Sequence, residues 1–146
     1  RSMMHRMRMR RNALPLFALL ACGACGGTRD DVSGTYLLDR SGGAGCVLGA
    51  RLDEPRAVHL EVQCTAPGAA QTKGDLVTMA AVDDGKAVVR MDDFGAPCEL
   101  RFHFRGSTAV VTQPGSAEAC GFPPGVVLAG TWRRTSRDPW VLPELR

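Results

Sequence analysis

Aromatic residues are scarce in this chain. Of 146 residues, five are Phe, two Trp and one Tyr, so a core has to be built mostly from Val, Leu and Ala and stays small. Amphipathic helical spacing is hard to find after residue 30, which argues against a helical bundle. No GxSxG elbow occurs and no serine stands in a recognisable catalytic context, so nucleophilic catalysis has no support. An HxxxH-type pair is missing, and the cysteines beyond residue 25 lie too far apart for the short-spaced ligand pairs of a zinc site. The acidic pairs Asp30-Asp31, Asp83-Asp84 and Asp92-Asp93 lack the spacing of a calcium loop. Asp93-Phe94-Gly95 spells a kinase triplet by chance, in a chain too short for a kinase. His59 and His103 fall on the polar faces of expected strands, where a shared metal site is conceivable if those strands pair. The expectation is a protein that is not an enzyme, with no cofactor and no metal. No internal repeat is evident, and no apolar run reaches the ~20 residues that span a bilayer.

What is present begins at the N-terminus. Arg6, Arg8, Arg10 and Arg11 crowd together without an acid, and the apolar run Ala13–Ala21 follows. A basic segment, a short apolar core and small residues make the layout of a secretory signal peptide, with Met7 or Met9 as the tidiest start. Leu19-Leu20-Ala21-Cys22 then resembles the lipobox of bacterial lipoproteins, with Leu19 at −3 and Ala21 at −1. The resemblance implies cleavage before Cys22, a diacylglyceryl group on its thiol and an acylated new amino terminus. Gly23, standing where an aspartate would retain such a protein at the inner membrane, implies the outer membrane, facing the periplasm or the surface. A redox reading of Cys22-Gly23-Ala24-Cys25 needs a helix behind the motif to lower the thiol pKa. Gly26-Gly27-Thr28-Arg29 instead reads as flexible linker. Cys25 is left over.

Removing residues 1–21 takes away five of the 18 basic residues and none of the 15 acidic ones, leaving a net charge of −2. The apparent basicity is then a targeting device. No basic stripe is visible along the chain, and Arg133-Arg134 with Arg137 reads as a solvated rim, so no nucleic-acid partner is expected. A small exported domain compensates for a small core with disulfides, and Cys46, Cys64, Cys98 and Cys120 form an even set with three possible connectivities.

Beyond residue 31 short alternating runs prevail. In 57–63, Val58, Leu60 and Val62 share one face, with His59, Glu61 and Gln63 on the other; in 98–105, Leu100, Phe102 and Phe104 oppose Glu99, Arg101, His103 and Arg105. Cys98 shares the apolar parity of its run, Cys64 that of Val58, Leu60 and Val62, and Cys46 that of Leu48, Ala50 and Leu52. Inward cysteines on neighbouring strands favour the pairing 46–64, hence 98–120. Further strands read as 32–38, 75–81, 86–91, 107–113 and 126–133, with Asp84-Gly85 as a type I′ hairpin turn. The fold class expected is all-β, a small antiparallel barrel or sandwich of about eight strands. Residues 1–21 are the signal peptide, 22–31 the lipidated linker, 32–134 the β-domain, and 135–146 an irregular tail, packed as a strap or loose.

The loop Cys120-Gly121-Phe122-Pro123-Pro124-Gly125 is stiffened by two prolines, which suits a binding loop that presents Phe122, Pro123 and Pro124; alternatively Phe122 folds back to plug a barrel mouth. From Cys98 through Phe102-His103-Phe104, Val110–Gln113, Cys120-Gly121-Phe122 and Gly130-Thr131-Trp132, the order resembles the C-terminal module of small periplasmic lysozyme-inhibitor-type lipoproteins. Pro123 departs from that pattern where it has glycine, and Trp132 where it has tyrosine. Ser33–Leu37 followed by Cys46–Leu48 more faintly resembles periplasmic protease-inhibitor barrels. The resemblance implies a protein partner in the envelope, an inhibited cell-wall or proteolytic enzyme. The alternatives are a lipocalin-like small-molecule carrier, with a cavity lined by Leu48, Leu60, Val62, Leu100 and Phe102 and a ligand of unknown class, or a structural envelope component.

Overall fold

A computed structural model describes residues 31–39, 45–68 and 72–143. Eight strands follow one another: β1 (Gly34–Asp39), β2 (Gly45–Glu54), β3 (Ala57–Thr65), β4 (Lys73–Asp83), β5 (Lys86–Met91), β6 (Cys98–Arg105), β7 (Thr108–Thr112) and β8 (Gly130–Ser136). Each pairs antiparallel with the next, and β1 closes on β8 through Tyr36↔Arg134 and Leu37↔Arg133, giving a closed up-and-down barrel. The choice between barrel and sandwich is thus made by a pairing of the two most distant strands. Lipidation of Cys22 and the leftover Cys25 lie outside the described residues.

The hairpins follow local chemistry. At Asp84-Gly85 both central residues have positive φ (48° and 68°), the type I′ geometry whose twist matches the strands. Inward parity is as read from the sequence. Cys46 and Cys64 sit directly opposite in the β2–β3 register and are bonded, and Cys98 bonds Cys120. Closing loops of 18 and 22 residues stabilises by about 3 kcal/mol each through loss of unfolded-chain entropy.

Inside, Tyr36, Leu48, Leu60, Leu100, Phe104 and Trp132 are essentially inaccessible. The Tyr36 and Phe104 rings meet edge-on at 5.5 Å, and Phe102 stacks on Phe104 at 6.1 Å. The two buried polar tips are satisfied: the Tyr36 hydroxyl donates to the Val32 carbonyl at 3.0 Å and Trp132 Nε1 to the Leu128 carbonyl at 2.9 Å. Eight strands make an interior just wide enough for side chains to fill, so a few aromatics among Val, Leu and Ala suffice.

Two departures from the sequence reading have physical causes, and the tail takes the first of its two expected forms. Residues 126–129 alternate in burial like a strand, but the Leu128 amide donates to the Gln113 side chain rather than to a ladder, and β8 starts only at Gly130. β4 runs longer than 75–81 and outlasts its neighbour, because β4 and β5 pair only at Val82↔Ala87 and Asp83↔Lys86, beside the turn. Residues 137–143 form a strap over the outer face of β1–β3. Thr35 Oγ1 donates to the Asp138 carbonyl at 2.6 Å, the Leu142 amide donates to Glu61 Oε2 at 2.7 Å, and the Leu142 side chain is buried. Gly49 makes room for the strap, since a Cβ there would lie 1.8 Å from the Trp140 carbonyl oxygen.

Candidate functional site

The two ends of the barrel differ. One carries the tight hairpins β2–β3, β4–β5 and β6–β7, with the entering chain at Asp31 held by Arg134. The other carries the β3–β4, β5–β6 and β7–β8 connections, and the Cys98–Cys120 bridge fastens it.

The β7–β8 connection begins with a short 3₁₀ turn, Ala117–Cys120, that ends in a Schellman-type cap. Gly121 adopts the left-handed conformation (φ 83°) while its amide bonds the Glu118 carbonyl and the Phe122 amide bonds that of Ala117. This reversal turns Phe122 inward, where 3% of it remains exposed. Its ring sits against Gly74 at the start of β4; a Cβ on Gly74 would lie 2.9 Å from Phe122 Cδ1 and 2.5 Å from Pro123 Cδ. Phe122 is therefore the plug of the barrel mouth and is not presented to a partner. Pro123 is half-buried and Pro124 exposed.

The aromatic that this end does present is Phe94, 57% exposed on the β5–β6 loop. Its ring lies over Gly121, whose absent Cβ would come 2.6 Å from Phe94 Cζ. At the same end of the barrel Pro67 meets Gly125, Val127 is 46% exposed, and Asp92, Asp93 and Glu118 are exposed. Gln113 braces the assembly, donating to the Gly115 carbonyl and accepting from the Leu128 amide. A surface depression of about 210 Å³ runs along Gln113, Ser116, Glu118, Gly125 and Val127. In the sequence Phe94 stands inside the chance triplet Asp93-Phe94-Gly95, which hides it. The available signal was an isolated aromatic between turn residues in a chain poor in aromatics.

Other candidates do not assemble into a site. His59 lies on β3 and His103 on β6, strands that do not pair, so the conceivable shared metal site is not formed. His59 instead faces Arg51 (Nδ1 to Nη2, 3.0 Å), Asp53 and Glu61. Among the described residues no group of three His, Cys, Asp or Glu side chains is placed to hold a metal. Leu48, Leu60, Val62 and Leu100 have no accessible surface and Phe102 keeps 2%. A ligand-sized cavity would leave accessible surface on its walls, so these five pack against one another and enclose no carrier cavity. No family model matches the chain, and comparisons with curated proteins and with solved structures return no match.

Proposed function

We propose that the chain is a lipid-anchored protein of the bacterial envelope whose barrel is a non-enzymatic binding module, inhibiting a cell-wall or proteolytic enzyme through its stapled end. The observation that carries the reading is Phe94, an exposed aromatic held on a surface stiffened by a disulfide, a capped 3₁₀ turn and two prolines. Aromatic anchors on pre-ordered surfaces supply most of the energy in protein interfaces, since little conformational entropy is lost on binding. A filled interior favours a surface that binds over a cavity that carries. The lipobox-like Leu19–Cys22 supports the anchor, and the resemblance of residues 98–133 to lysozyme-inhibitor-type lipoproteins supports the choice of partner class.

The test is an inhibition panel of muramidases and serine proteases run with the unmodified chain, Phe94→Ala and Pro124→Ala. Inhibition that Phe94→Ala lowers at least tenfold, with thermal stability nearly unchanged, supports the reading. Inhibition indifferent to both substitutions, or absent across the panel, overturns it. The anchor is tested separately by intact mass from bacterial membranes: a chain starting at Cys22 with three acyl groups is expected, and an unlipidated chain refutes it.

A further inference from the structure

The register of the barrel sorts charges that are scattered along the chain. On the outward positions of β5–β8 stand Lys86, Arg90, Arg101, Arg105 and Arg133, with Glu99 as the only carboxylate. On the described outward positions of β2–β4 the balance is reversed: Asp53, Glu61, Asp75 and Asp83 against Arg51 and Lys73. Cross-strand pairing makes the basic set contiguous. Arg90 lies opposite Glu99, Val88 opposite Arg101, and Lys86 opposite His103, which in turn faces Val110; Arg105 faces Thr108, which faces Arg133.

Against Lys86, Arg90, Arg101 and Arg105 the register sets two carboxylates, Glu99 opposite Arg90 and Asp83 opposite Lys86, so the cations outnumber the anions. Glu99 takes hydrogen bonds from both Arg90 and Arg101, so two cations share one anion. Hydrogen bonds first from Arg90 and then from Arg101 hold its carboxyl below the usual range, which keeps the triad at a net single positive charge at neutral pH. Arg105 donates to His103 Nε2, a partner that is not a carboxylate. Val88 and Val110, each 39% exposed, lie among these cations. The face therefore combines positive charge with exposed apolar side chains, the combination that suits an anionic interface.

We propose that the β5–β8 face docks on the anionic headgroup surface of the membrane that carries the protein; the proposal rests on the lipid-anchor reading. Charge complementarity selects the occupant, and the length of the lead supports it. Cys22 precedes Asp31 by nine residues, a span of at most about 30 Å. Asp31 itself is held by Arg134 of β8, which borders the basic face. A domain on so short a lead stays near the headgroups, where weak attraction is enough to choose which side faces the lipid.

The test uses residues 22–146 with Cys22→Ser and Cys25→Ser, a chain that contains every residue of the barrel and strap but carries neither lipid nor the basic leader. Its co-sedimentation is measured with vesicles of phosphatidylcholine alone and of phosphatidylcholine mixed with phosphatidylglycerol. Binding to the anionic vesicles only is expected, falling about fivefold for each of Lys86→Ala, Arg101→Ala and Arg105→Ala and vanishing near 1 M salt, where the Debye length is ~3 Å. Arg51→Ala and Lys73→Ala, on the opposite face, are expected to change it little. Equal losses from both sets of variants, salt-indifferent binding, or no preference for anionic vesicles each overturn the proposal. So does tighter binding to a single-stranded oligonucleotide than to the vesicles. Since this chain has no anchor, its failure to bind refutes the docking face and leaves lipidation to the mass measurement.

Discussion

Replacing Phe122 by alanine separates a plug from a presented side chain. The ring is 3% exposed and rests against Gly74, which has no side chain to move into the space, beneath a loop fastened by Cys98–Cys120. Neither neighbour can collapse far, so the substitution loses both the transfer free energy of the ring and the contacts around the hole it leaves. Buried Phe→Ala changes cost about 3–5 kcal/mol. The site lies at the barrel mouth, where water can enter once the ring is gone, and about 3 kcal/mol is the appropriate figure. For the 105 residues described, with an unfolding entropy near 2 cal/mol/K per residue, that is roughly 14 °C in Tm. An aromatic presented to solvent would cost within about 0.5 kcal/mol on truncation, or some 2 °C. Far-UV circular dichroism melts of the oxidised variant, with urea titration to check that the m-value is unchanged, read the difference directly. A shift under 3 °C in Tm would refute the plug assignment.

Three further outcomes follow from the same packing. Gly49→Val drives a side chain into the Trp140 carbonyl, so the strap should lift; faster hydrogen exchange at the Leu142 amide and cleavage near Trp140 by limited proteolysis would report it, and unchanged protection would contradict it. Tyr36 is the sole tyrosine, and burial pushes its pKa up, partly offset by Arg134. The folded state then keeps its proton where the unfolded state begins to lose it, so stability is full below about pH 10 and falls as pH rises beyond it. Absorbance at the phenolate band should titrate above the ordinary tyrosine value in the folded protein and return to it in urea. Finally, Val77 and Met79 have main-chain groups directed at β5 beyond the last β4–β5 pair, so their amides should exchange far faster than those of Leu76 and Thr78, which face β3.

Much of this fold was legible because strand parity is a strictly local signal. Val58, Leu60 and Val62, like Leu100, Phe102 and Phe104, announce their faces within seven residues, and the cysteine parity carried the 46–64 and 98–120 bridges with them. Asp84-Gly85 was equally local. What stayed hidden depends on long-range placement. Closure through Tyr36↔Arg134 joins residues 98 apart in sequence, and no local pattern distinguishes it from a sandwich. Glu61 has outward parity yet is 5% exposed, because Leu142 arrives from the far end of the chain to cover it. Val126 and Leu128 alternate correctly and are buried, but alternation reports burial and not a ladder. The basic face was invisible for the same reason: its cations are spread over 86–133, and only the register brings them together.

The two proposed surfaces meet at Phe94, and that residue decides how they work together. The β5–β6 loop that carries it joins the basic face to the stapled end, so its exposed ring is within reach of either a protein or a headgroup layer. The chain enters at the opposite end of the barrel, at Asp31 beside Arg134. A barrel lying on β5–β8 therefore directs the stapled end along the membrane plane rather than away from it. If Phe94 serves the protein partner, Phe94→Ala abolishes inhibition and leaves vesicle binding within about twofold, far less than the roughly fivefold loss expected from removing one cation. If it wedges into lipid instead, vesicle binding falls as steeply as in Arg101→Ala while inhibition by the soluble chain is untouched. The first result assigns the ring to the interface with the inhibited enzyme; the second moves it to the membrane face and leaves Pro124 and Val127 to carry the protein contact.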